Sequence, residues 1–265
     1  MSERLWVWGL PLAPLSLAQA VEATVRLVRA GQPCYFITAN THYAMLTHQV
    51  PGLHAVNARA AFLLADGAPL VWASRWRRGT SLPERVAGSD LIYQVCERAA
   101  AEGLRIFLLG GEPGVADEAG KRLSTLYPGI RIVGTAAPAV GGLTPAEQEE
   151  LFATVRTAQP DILFVAFGQP KGELWIAEHC ESLGVPVSVQ VGAAIDFVAG
   201  RVRRAPRGLR RVGMEWAHRM WLEPRRLAPR YARNALFMAR MLAREFIGAN
   251  RPGGQSAAQL AEVEP

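Results

Sequence analysis

Cysteine is scarce in this chain: 265 residues hold three, Cys34, Cys96 and Cys180. They are odd in number, widely spaced and free of any C-x-x-C pattern, so neither a disulfide framework nor a zinc knuckle is indicated and a reducing compartment fits best. No uninterrupted apolar run reaches about 18 residues, so no segment reads as a membrane-spanning helix. There is no G-x-S-x-G elbow and no convincing Ser/His/Asp order, which leaves hydrolase chemistry with little support. His42, His48 and His54 recur every six residues, matching neither a helix nor a strand face. No acid or cysteine completes a ligand set with them, so they read as scattered, partly buried histidines and no metal site is expected. No internal repeat is present.

Lysine is missing where positive charge is densest. The stretch "GRVRRAPRGLRRVGMEWAHRMWLEPRRLAPRYARN", Gly200 to Asn234, holds eleven arginines and only two acids, Glu215 and Glu223. That gives it a net charge of +9 against +6 for the whole chain, so the other 230 residues sum to −3. Basicity this local argues for one anionic target at one place and against a uniformly basic nucleic-acid coat.

Half of the residues are hydrophobic, enough to bury one large core, or a core plus a small appendage. The start, "MSERLWVWGLPLAPLSLAQAVEA", imitates a signal peptide, but Glu3, two prolines and Ser16 at a helix N-cap position count against cleavage. From Leu5 to about Gly192, apolar runs of strand length alternate with helical patterns: "LWVWG", "CYFIT", "AFLLAD", "RIFLLGG", "IRIVGTA", "ILFVAFG" and "VPVSVQVG". Between the first two, Leu17, Val21, Val25 and Val28 recur at helical spacing and Gly31 stops the run. This alternation predicts an α/β fold with a mostly parallel sheet, helices on both faces, and functional groups at the carboxyl ends of the strands. The expected layout is an α/β domain over 1–199, a basic helical appendage over 200–247 and a disordered tail over 248–265.

Within the basic segment a helix is predicted from about Arg225 to Ile247, with Pro229 tolerated only in its first turn. At ~100° per residue, Leu227, Tyr231, Ala235, Met238, Leu242 and Phe246 form an apolar stripe, opposite Arg226, Arg230, Arg233, Arg240 and Arg244. Such a helix suits an anionic bilayer surface, or finds a protein partner such as a second copy of the chain.

The strand ends carry the candidate chemistry. "GGEPG", from Gly110 and Gly111 onward, follows a strand and opens a helix. Its amides either cradle a phosphate or form an ordinary turn, and it lacks the third glycine of a dinucleotide fingerprint. Asp66 in "LLADG" is either an N-cap or a catalytic base, and Thr38 and Asn40 in "ITANTH" have capping as their simpler role. Arg85, ahead of Asp90 in "RVAGSDL", offers a planar fork for a diphosphate or a surface ion pair. In "FGQPKGELWI", Gly168 ends a strand, Pro170 stands at the first helical position, and Lys171 and Glu173 follow, as in a binding loop.

Taken in order, T-x-N (Thr38, Asn40), A-D-G (Ala65 to Gly67), R-x-x-G-S-D (Arg85 to Asp90), L-L-G-G (Leu108 to Gly111), G-x-P-K-x-E (Gly168 to Glu173), V-G-x-x-x-D (Val191 to Asp196), R-R-A-P (Arg203 to Pro206), E-W-x-x-R (Glu215 to Arg219), E-P-R-R (Glu223 to Arg226) and R-Y (Arg230, Tyr231) resemble the WecG/TagA/CpsF glycosyltransferase family. The resemblance runs from about residue 5 to 247. It implies a Rossmann-like domain and an inverting, metal-independent enzyme that needs no cofactor. Such an enzyme moves a sugar from a UDP-sugar to a saccharide on a polyprenyl diphosphate, in exopolysaccharide or cell-wall glycan assembly at the cytoplasmic face of the membrane.

The implied base is Asp66. Thr38, Asn40, Arg85, Asp90, Gly110, Gly111, Gly168, Pro170, Lys171, Glu173, Gly192 and Asp196 fall on the donor side. Arg203, Arg204, Arg207, Arg210, Arg211, Trp216, Arg219, Trp221, Arg225, Arg226, Arg230 and Tyr231 fall to the acceptor diphosphate or the membrane. Two departures from the family's pattern are visible: Gly172 replaces a glutamine in the donor loop, and Ala68-Pro69 follow Asp66-Gly67 where the family often has another glycine. Two other readings remain at the level of residues: a nicotinamide-dependent oxidoreductase, from the βα alternation and "LLGGEPG", and a nucleic-acid binder using the arginine block.

Overall fold

The computed structural model describes residues 3–76, 81–138, 142–202, 205–206, 208–209 and 215–249. Eight strands form one sheet in the order β1-β2-β4-β3-β8-β7-β5-β6: β1 (Leu5–Val7), β2 (Leu10–Leu12), β3 (Cys34–Ala39), β4 (Leu63–Ala65), β5 (Arg105–Gly110), β6 (Arg131–Ala136), β7 (Ile162–Ala166) and β8 (Val187–Gln190). Only the β1–β2 pair is antiparallel; every other neighbouring pair is parallel. The expected mostly parallel α/β sheet is therefore present. It contains one strand, β2, that the sequence did not announce, because Pro11 reads as a break. A three-residue strand that meets β4 at one register position, Leu12 with Leu63, accommodates that proline.

Alternation along the strands builds a core on each face of the sheet. Ile37, Phe107, Leu109, Leu163 and Val165 belong to one cluster, and Phe36, Ile106, Leu108, Phe164 and Val189 to the other. The helices that cover them start and stop as their sequences dictate. In α1 (Leu17–Ala30) the Ser16 hydroxyl accepts from the backbone N–H of Gln19, the Gln19 side chain accepts from the N–H of Ser16, and Gly31 ends the helix at φ 68°. The remaining helices of the α/β part are α2 (Thr41–Thr47), α3 (Leu53–Arg59), α4 (Ala68–Trp76), α5 (Gly88–Glu102), α6 (Val115–Leu126), α7 (Pro145–Ala158), α8 (Lys171–Leu183) and α9 (Ala194–Val198). Pro170 sits one residue ahead of α8, at its N-cap, and not at the first helical position as expected; the Gln169–Pro170 peptide is cis.

Two helices follow, α10 (Glu215–Leu222) and α11 (Pro224–Ala249). No described helix is long and apolar enough to cross a membrane. In α11, Pro229 lies beyond the first turn, inside the helix. Its ring nitrogen has no hydrogen to donate to the carbonyl four residues back, yet the helix runs through to Ala249.

The apolar stripe of α11 is also rotated from its expected position. Leu227 and Asn234 are buried, and Phe237, Met238, Met241 and Leu242 pack against the core, whereas Ala235 and Phe246 are exposed. Arg230, expected on the far side, is half-buried and reaches Gln169, with Nη2 donating to Oε1 over 3.5 Å. Helical periodicity identifies a stripe but not the neighbour that meets it. Here the neighbours are α2 and the β1–β2 turn: Asn234 pairs with His42, and the Phe237 ring stands edge-on to Trp8, 6.1 Å between centroids. Most of the stripe is thus covered by the α/β part. Residues 250–265, which include most of the expected tail, lie outside the described residues; Gly248 and Ala249 continue α11.

Candidate active site

A cleft of about 1160 Å³ opens at the carboxyl ends of β3, β4, β7 and β8, roofed by α10 and α11. Successive strands diverge here: after β4 the chain crosses to β5 on the other side of β8 and β7, which leaves a crevice between the strand ends.

From β3 come Thr38 and Asn40. The Thr38 hydroxyl donates to the carbonyl of Gln190 at 3.0 Å, tying β3 to β8. Asn40 caps α2, its side-chain oxygen accepting from the N–H of Tyr43 at 3.0 Å. Both keep the capping and bracing roles that their residue types suggest, and both also line the cleft.

Asp66 follows β4. Its Oδ2 accepts from the N–H of Gly88, the first residue of α5, at 3.2 Å. Burial raises its pKa from the usual 3.8 to about 6; the Arg85 guanidinium and the Gly88 hydrogen bond pull the other way, and the carboxylates of Glu215 and Asp90 add to the rise. The result is a carboxylate that is ionised at neutral pH yet holds a proton far better than a solvated one, as general-base work requires. Gly88 is small for a reason visible here. A Cβ on it would lie 2.9 Å from the Thr38 hydroxyl oxygen and 2.9 Å from the carbonyl of Val191. Gly88→Ala is therefore expected to cost about 1–3 kcal/mol of stability, the usual range for overpacking, read as a lowered thermal midpoint.

Arg85 is the pivot of the site. Its Nη1 donates to Glu215 Oε2 on α10 at 3.1 Å, and its Nη2 to Asp90 Oδ2 at 3.4 Å. Asp90, placed on the donor side by the sequence, thus stands behind Arg85 and outside the cleft lining.

The opposite wall holds Gly111, Gly168, Lys171, Gly192 and Asp196. Gly111 opens the approach to α6, whose N-cap, Gly114, offers no side chain to its first amides. Gly110, Pro170 and Glu173 do not line the cleft. Glu173 is fully buried under the Gly168–Lys171 loop, beside the side chains of Gln169 and Gln190, and burial lifts its pKa to about 7.

The missing side chain at Gly172 has a structural counterpart. A Cβ there would come 2.0 Å from Nε2 of Gln190. The Gln190 amide fills that space from β8 and donates to the carbonyl of Phe167 at 2.9 Å, so the loop is braced from below.

Trp216, Arg230 and Tyr231 close the cleft from the appendage, the two rings 5.8 Å apart. Trp221 points away from it and is 79% exposed, and Arg225 is likewise exposed. Arg203, Arg204, Arg207, Arg210 and Arg211 lie outside the described residues, as do the side chains of Arg219 and Arg226.

Sequence reasoning missed Gln169, His42, Glu215 and Asn234, all of which line the cleft. His42 Nδ1 pairs with Asn234 Oδ1 at 3.1 Å. That contact places the ring hydrogen on Nδ1 and leaves Nε2 as an acceptor. Burial first, and then the charge of Arg230, hold the imidazole neutral with a pKa of about 4. A spacing of six residues carries no such information, because the partners of His42 lie almost two hundred residues away.

With this geometry in place, comparison with known families can be read: the sequence model of the Glycosyl transferase WecG/TagA/CpsF family aligns with residues 5–251. The match covers nearly the whole chain, which therefore belongs to that family and has a glycosyltransferase role in polysaccharide assembly.

Proposed function

We propose, with that membership as the premise, that the chain is an inverting, metal-independent glycosyltransferase with a Rossmann-like donor domain. It transfers a sugar from a UDP-sugar to a saccharide carried on a polyprenyl diphosphate, at the cytoplasmic face of the membrane. The observation that supports this most directly is Asp66, with a pKa of about 6, facing a large cleft beside the cations of Arg85, Lys171 and Arg230.

Inversion in one displacement asks for two things: a base at the acceptor and a stabiliser for the leaving diphosphate. Asp66 takes the proton from the attacking hydroxyl as its oxygen bonds the anomeric carbon. The bond from that carbon to the UDP oxygen breaks, and the electron pair leaves with UDP. Arg85 and Lys171, with the amides at the start of α8 and α6, meet the growing charge. The arginines of the appendage, on this reading, neutralise the acceptor's diphosphate and anionic headgroups. Contact with the bilayer falls to the outer side of α10 and α11, where Trp221, Leu236, Phe246 and Ile247 are exposed at 79, 53, 69 and 60%.

The nicotinamide reading stands on the βα alternation and the Gly110 to Gly114 turn, and the family membership speaks against it. The deciding experiment is a calorimetric titration with UDP, with and without magnesium. Binding that is equal in the two conditions is the expected result. Absence of binding in both overturns the donor site, and binding only with magnesium overturns the metal-independent part.

A further inference from the structure

The helix that leaves the catalytic strand end carries an unusual outer face. Along α4, Leu70, Val71, Ala73 and Ser74 are buried, while Trp72, Arg75 and Trp76 look outward. Trp72 and Trp76 are 51% and 71% exposed, and a spacing of four residues puts them on one side of the helix. Between Gly67 and Pro83 the sequence has three arginines, Arg75, Arg77 and Arg78, and no acid. The helix also has a fixed relation to the site: its first residues, Ala68 and Pro69, line the cleft. The same cleft is lined by Glu215 and Trp216 of α10, which carries two further exposed tryptophans, Trp216 at 40% and Trp221 at 79%, again among arginines, and Trp6 of β1 is exposed at 51%.

Resting on the lipid-linked acceptor of the proposed function, we infer that α4 is a second membrane-contacting element. The protein then sits on an anionic bilayer with the cleft mouth turned toward it and a tryptophan-bearing helix on each side. The chemistry fits this occupant in two ways. Tryptophan places an apolar ring and a polar N–H at a headgroup boundary, and arginine meets lipid phosphates there. A second copy of the chain is a poorer partner, because a two-fold contact through α4 brings the exposed Arg75 toward its own copy in a stretch whose sequence has no acid to offset it. The arrangement brings an acceptor diphosphate to the cleft at the depth where headgroup phosphates lie, without lifting its lipid out of the membrane.

The test uses the full chain and its Trp72→Gln/Trp76→Gln double variant in co-sedimentation with phosphatidylcholine vesicles, with and without phosphatidylglycerol. The expected result is partitioning of the wild type onto the anionic vesicles, and a loss of about tenfold or more in the double variant. The thermal midpoint and UDP affinity of the variant stay unchanged. Arg75→Gln weakens partitioning in the same direction and makes it less dependent on salt. Undiminished partitioning of the double variant overturns the inference, as does failure of the wild type to bind vesicles. So does a variant that turns an oligomer into a monomer in light scattering while still binding vesicles, because the face is then a contact between copies. UDP titration decides the donor site on its own, so the two readings fail separately.

Discussion

Replacing Asp66 with asparagine is expected to leave UDP binding intact and to lower transfer by about 10²- to 10⁴-fold, the span of general-base catalysis. In the wild type, kcat/KM should climb with pH until the carboxyl ionises near pH 6 and then level off. The asparagine variant should lose that limb. Stability supplies an independent readout. The folded pKa of about 6 stands above the ordinary 3.8, so the folded state binds a proton that the unfolded state has already lost. The stability linked to that proton is complete below about pH 4 and disappears as pH rises through 6. A group that costs stability when charged gives some back when made neutral, so Asp66→Asn should melt higher than the wild type at pH 7. Unchanged turnover would remove Asp66 from the chemistry. A lower melting point at pH 7 would mark it as a structural carboxylate.

Arg85→Ala is expected to lower kcat/KM by about 10²- to 10³-fold, the usual effect of deleting one stabiliser of developing negative charge. It should also displace the pH profile. Arg85 is the largest influence holding the Asp66 pKa down against burial, so without it the acidic limb moves above pH 6. Arg85→Lys keeps a charge but not the fork that spans Glu215 and Asp90. It should restore the position of the limb more fully than the rate. A profile that does not move in the alanine variant would uncouple the two residues. Any loss of rate would then belong to the seating of α10 through Glu215.

Much of the fold was legible from local signals. Ser16 and Gly31 delimited α1, and the apolar runs located seven strands because each is five to eight residues rich in β-branched or aromatic sequence, mostly ending in turn residues. β2 escaped because its register with β4 is a long-range fact and Pro11 disguises it locally. The site was legible to the extent that its residues sit at strand ends. Thr38, Asn40, Asp66, Gly168 and Gly192 all do, and the parallel sheet brings those ends together. What could not be read was everything contributed across the cleft. Glu215 has meaning only beside Arg85, Asn234 beside His42, and Gln190 only in the space that Gly172 leaves open. The rotated stripe of α11 has the same cause: the helix was visible, and the surface waiting for it was not.

The seam between Trp8 and Phe237 also bears on how the chain comes into being. Trp8 is nearly fully buried, and the Phe237 ring packs on it and on His48, 5.6 Å away. During synthesis, the first strands and α2 emerge well before the helix that covers them. Their apolar edge must wait, uncovered, until the chain has been made as far as Phe237. A ribosome-bound chain halted before α11 would thus present that edge to chaperones, and only the arrival of the helix carrying Phe237 closes over the first residues.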